Sequence, residues 1–123
     1  MSNYPPSGID LKDVIGSDNK LNLFINNSIL DPDLATIPKV GPATIKELKR
    51  VKIYTTNDLM SKLLNLKLDY VQCVEWLGQT ISYTQSKQIV DVMLYRMEMM
   101  GIVVPPVPDN WRKLNRYGQE YTE

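Results

Sequence analysis

The sequence predicts an all-α fold: a compact bundle of about five helices containing a helix-hairpin-helix, with extended N- and C-terminal arms. Three observations carry this. Apolar residues recur at three- and four-residue spacing along successive segments. Those segments are bracketed by capping residues, glycines and prolines that start and stop helices. Residues 37–59, which open Ile37-Pro38-Lys39-Val40-Gly41-Pro42-Ala43-Thr44, have the pattern of a hairpin between two helices.

Each element follows from local chemistry. Residues 1–16, with Pro5-Pro6-Ser7-Gly8 and scattered acids, read as a flexible N-terminal arm. Ser17-Asp18 offers a cap for a helix running to about Asn27, with Leu21, Phe24 and Ile25 on one face. Asp31-Pro32-Asp33 supplies a turn or a new cap, with Pro32 at a first helical position. Leu34, Ala35 and Ile37 then form the short first helix of the hairpin. A tight turn around Gly41 feeds the second, from Pro42 to about Val51. Ile45, Leu48 and Val51 point inward there, and Lys46, Lys49 and Arg50 point outward.

Thr55 to Asp58 reads as a capping box for a helix carrying Leu59, Leu63, Leu64 and Leu66. The next helix spans about 69–77 and stops at Gly78. The longest runs from about Thr84 to Met100 before Gly101, with Ile89, Val92, Met93, Met97 and Met100 as its apolar stripe. This helical domain occupies 17–101. Residues 102–123 form a tail in which Pro105, Pro106 and Pro108 forbid a helix.

Composition narrows the chemistry. The apolar fraction of 43% and charged fraction of 23% are those of an ordinary globular chain. Cys73 stands alone and there is no histidine, which removes an internal disulfide, a multi-cysteine metal site and the commonest general base. Asp58, Asp69, Glu75, Asp91 and Glu98 are scattered, with no metal-binding spacing, and no nucleotide loop or serine nucleophile motif is present. The expectation is a non-enzyme without cofactor or metal. With no signal-peptide pattern and no membrane-spanning apolar run, it is expected inside the cell and off the membrane.

The formal net charge of zero conceals an asymmetry. Residues 38–52 hold five bases (Lys39, Lys46, Lys49, Arg50 and Lys52) against Glu47 alone. The first amides of a helix lack internal partners, and the helix dipole makes that end positive, so a hairpin flanked by lysines suits a backbone phosphate. Gly41, Ala43 and Thr44 are the donors, since Pro42 has no N–H. Lys39 falls at a hairpin position usually held by glycine. If φ is positive there, lysine costs about 1 kcal/mol or more.

Taken together, Lys20, Phe24, Gly41, Lys46, Leu48, Leu64, Leu66, Lys67, Glu75-Trp76-Leu77, Thr80, Gln85 and Ser86 resemble barrier-to-autointegration factor, a family of small all-helical DNA-bridging proteins. The resemblance runs without gaps from about Asp18 to Thr80. After a shortening of two residues it continues into the last helix, covering about two thirds of the chain. It implies sequence-nonspecific binding and bridging of double-stranded DNA by a homodimer whose DNA sites face apart. The residues implied in DNA contact are Asn19, Lys20, Lys39, Val40, Gly41, Ala43, Lys46, Thr84, Gln85, Ser86 and Lys87.

Departures from the family lie at Lys39 in place of glycine, and at Glu47 and Thr84 in place of lysines. Gln72 replaces an apolar residue of the groove that receives LEM-domain proteins, so that partner is not carried over. The arms have no counterpart in the family. The bias of lysine over arginine and the frequent asparagine fit an AT-rich genome such as that of a large DNA virus. The expected location is with DNA, in the nucleus or cytoplasm, or in a virion or viral factory for such a source. The alternative reading is a protein-interaction module of the same fold that has lost DNA binding, with the Pro-rich tail as a strap for a protein partner. An accessory domain of a repair enzyme has less behind it, because the chain is short and lacks a catalytic constellation.

Overall fold

The computed structural model describes residues 7–9, 11 and 19–108. These form five α-helices: α1 (Lys20–Asn26), α2 (Pro42–Arg50), α3 (Thr56–Asn65), α4 (Tyr70–Leu77) and α5 (Tyr83–Met99). The segment before α2 contributes one short 3-10 turn, Leu34–Thr36. Among the described residues there is no strand, and no helix is long and apolar enough to cross a membrane.

α5 is the spine. Its 17 residues extend about 25 Å, and Ile89, Val90, Val92, Met93, Leu94 and Met97 are all buried. Each such side chain contributes about 1.5–3 kcal/mol on leaving water. α4 and α1 pack against it. α4 supplies Tyr70, Cys73, Val74 and Leu77. Burial, with Asp69 nearby adding to it, pushes the Cys73 thiol up to about 12, so this cysteine is a small core residue rather than a reactive one.

Local capping chemistry sets most boundaries. The Thr55 hydroxyl accepts from the Asp58 amide while the Asp58 carboxylate accepts from the Thr55 amide, completing the capping box. Asp69 and Ser82 cap α4 and α5 through the amides of Gln72 and Gln85. Three helices end in Schellman motifs, marked by paired bonds such as Ile53 to the Leu48 carbonyl and Lys52 to the Lys49 carbonyl. The left-handed residue is Gly101 after α5 (φ +92°), but Lys52 after α2 (+66°) and Lys67 after α3 (+60°).

Several sequence expectations change. The first hairpin helix shrinks to the 3-10 turn, capped by Asp33 through the Ala35 amide, so Pro32 is not a first helical residue. Val51 and Met100, expected to face inward, are exposed. They sit beside or beyond helix ends, where the apolar stripe leaves the core. Thr44 is buried instead.

The division at 16/17 and 101/102 does not follow the packing. Ile9 and Val104 belong to the core. Ser7 donates through its amide and hydroxyl to Glu98, and its carbonyl accepts from the Val107 amide. Extended segments from both arms are thus tied to the C-terminal end of α5. Ser17, Asp18, Trp111 and most of both arms lie outside the described residues.

Arg96 fixes α1. Its buried guanidinium donates from Nε to the Phe24 carbonyl (3.1 Å) and from Nη2 to the Asn27 carbonyl (2.7 Å). These are end-of-helix carbonyls without helical partners, at the negative end of the dipole. Arg96→Met is expected to lower stability by about 2 kcal/mol in urea unfolding, because two carbonyls lose a charged donor.

Candidate nucleic-acid interface

The hairpin turns at Pro38-Lys39, not around Gly41. The Val40 amide donates to the Ile37 carbonyl (3.1 Å), closing a four-residue turn with Pro38 second and Lys39 third. Lys39 has φ +71°, the left-handed value that the third position of a type II turn demands. The expected lysine strain is therefore present. Gly41 itself is extended (φ −110°, ψ −175°) and is the N-cap of α2. A Cβ built there would meet nothing within 4 Å. Neither its φ nor its packing calls for glycine; its bareness leaves the start of α2 open to close approach from outside.

That start carries unused donors. No side chain caps α2, and Pro42 lacks an N–H. Ile45 donates to the Gly41 carbonyl (3.0 Å) as the first helical bond. Among the described residues, the amides of Gly41, Ala43 and Thr44 have no acceptor. Ala43 is exposed, Gly41 half-buried and Thr44 buried.

Two side chains hold the loop in this pose. Gln85 Nε2 donates to the Lys39 carbonyl (2.8 Å) and to Thr44 Oγ1 (2.7 Å). Lys20 Nζ donates to the Val40 carbonyl (3.1 Å). A trans peptide is planar, so drawing the Val40 carbonyl toward Lys20 aims the Gly41 N–H the opposite way. Lys20 and Gln85, expected in direct DNA contact, are thus seen positioning the hairpin. Gln85 also brings the beginning of α5 alongside the beginning of α2, which are 41 residues apart.

The other expected contacts divide. Asn19, Lys39, Lys46 and Thr84 are exposed. The Val40 side chain is buried in the core. Two expectations are corrected. Ser86 is fully buried, its hydroxyl donating to the Ser82 carbonyl (2.8 Å) and its amide to the same oxygen. Lys87 is also buried, with Nζ 4.9 Å from the centre of the Tyr83 ring. Both lie on the face of α5 that turns inward after its first turn. Glu47 stands 3.7 Å from Arg50, so the one acid of α2 is offset by its neighbour.

What the sequence did not reveal is the two-acceptor role of Gln85, the buried Thr44 hydroxyl that receives it, and the lysine at the left-handed end of α2. Of these only Gln85 and Thr44 had a signal, as polar residues at the beginnings of helices. Among the described residues no group of three or more acids or cysteines is arranged to hold a metal ion.

No family model, curated protein or solved structure matches this chain. Gln85→Glu is expected to destabilise the protein more than Gln85→Ala. The carboxylate sets acceptor against the Lys39 carbonyl, whereas alanine only removes a donor, at about 1 kcal/mol. Urea midpoints of the three proteins give the order.

Proposed function

We propose that this protein binds double-stranded DNA without regard to sequence, through backbone phosphates, and bridges or compacts it as a homodimer. It is not an enzyme on this reading. The observation that carries it is the beginning of α2: three amides without acceptors among the described residues, a bare Gly41, and Lys39 exposed at the turn. Such donors recognise an anion and read no base. The resemblance to barrier-to-autointegration factor points the same way, as does the exposure of Lys46 and Thr84. Bridging requires two such faces, which a symmetric dimer provides.

A protein-interaction module is the second reading. It is favoured by an apolar groove of about 410 Å³ between α1 and residues 29–36, where Leu23 and Ile29 are 70% and 75% exposed. The burial of Lys87 also favours it, since one expected DNA-contacting cation is withdrawn from the surface.

Lys39 separates the two readings. Lys39→Gly relieves a left-handed lysine and is expected to raise stability by about 1 kcal/mol. On the DNA reading it also weakens binding to random duplexes in a gel-shift salt series, and Lys39→Glu weakens it further. Light scattering with and without duplex reports dimerisation and bridging. Duplex affinity unchanged in both variants would remove the hairpin from the interface.

A further inference from the structure

The outer face of α2 continues the positive character of the hairpin beyond the amides. Pro42, Ala43, Lys46, Lys49 and Arg50 are all exposed and fall on one side of the helix at three- and four-residue spacing. Arg50 is paired with Glu47, which leaves Lys46 and Lys49 as the cations of that face without an ion pair among the described residues. Lys52, also exposed, follows at the left-handed end of the helix, φ +66°. A glycine would hold that Schellman position without strain. Lysine is used there although it is unfavourable for the backbone. Strain of this kind clusters at functional sites, although Lys67 takes the same backbone at the end of α3.

We propose that the phosphate contact begun by the hairpin runs on along α2, with Lys46, Lys49 and Lys52 each neutralising a further phosphate of the same DNA strand. This rests on the DNA-binding reading above and sets the extent of its interface. α2 has nine residues and is about 13 Å long. Duplex DNA carries one phosphate per about 3.4 Å of axis on each strand. Because the strand also winds about the axis, its neighbouring phosphates lie further apart than this rise, so the helix spans fewer than four of them, and three lysines staggered along it match that track. The chemistry asked of the partner is a regular line of phosphates, so the occupant is a duplex and not a single anion.

The test is the salt dependence of binding to a random duplex, comparing the natural protein, Lys46→Gln/Lys49→Gln and Lys52→Gly. Each lost phosphate contact makes the slope of log affinity against log salt shallower by about 0.9. The double variant is expected to lose about 1.8 from the slope and Lys52→Gly about 0.9. Lys52→Gly is also expected to melt at a higher temperature, because its backbone is relieved. If the natural protein binds with a steep slope and the variants keep it, the track along α2 is wrong and the hairpin contact stands. If the natural protein does not bind duplex, both readings fall. A lowered melting temperature in Lys52→Gly would overturn the account of Lys52 as a strained residue kept for its charge.

Discussion

The arrangement of the hairpin hangs on the side-chain amide of Gln85. Its two N–H groups meet the Lys39 carbonyl and the Thr44 hydroxyl, and both bonds are short. Through them the central helix of the core grips a loop that has almost no regular structure of its own. The segment before it is a single 3-10 turn, too short to hold a shape unaided. With Lys20 drawing on the adjacent carbonyl, two successive loop carbonyls are tied to the body of the protein. The amides at the start of α2 are left pointing elsewhere. Arg96 belongs to the same scheme, because it pins α1 and so fixes the helix that bears Lys20.

Stability and charge pull against each other in this chain. Left-handed positions are cheapest for glycine, and Gly8 and Gly101 use that freedom. Lys39, Lys52 and Lys67 occupy left-handed backbone too, with side chains that are exposed rather than packed. Leu68, also left-handed, is different: it is buried, and its packing in the core offsets its backbone. The exposed lysines have no such return within the fold. Lys39 and Lys52 lie at the two ends of the α2 region, one before the helix and one after it.

Much of the fold was legible because the physics is local. The capping box at Thr55 and Asp58, the stop at Gly101, and the buried stripe of Ile89, Val92, Met93 and Met97 all follow from residue type and spacing. The end of α2 near Val51 was legible too, but the left-handed residues that close α2 and α3 were not, because lysine sits where the stop signal expects glycine. The packed part of the arms was hidden for another reason. Ser7 is held by Glu98, 91 residues away, and no local pattern announces such a bond. At the site, the hairpin, Lys39 and the amide donors were readable. The burial of Ser86 and Lys87 was not, since it depends on which face of α5 meets the core. Gln85, expected in DNA contact, joins two helix beginnings instead.

The central claim is that the backbone amides at the start of α2 receive phosphate. Titrating uniformly nitrogen-15-labelled protein with two short duplexes of unrelated sequence, and following each amide by NMR, tests it most directly. The account predicts that the resonances of Gly41, Ala43 and Thr44 move most, and in the same pattern for both duplexes. Amides of α2 that stay still while resonances elsewhere shift, or that respond to only one of the two sequences, would contradict it.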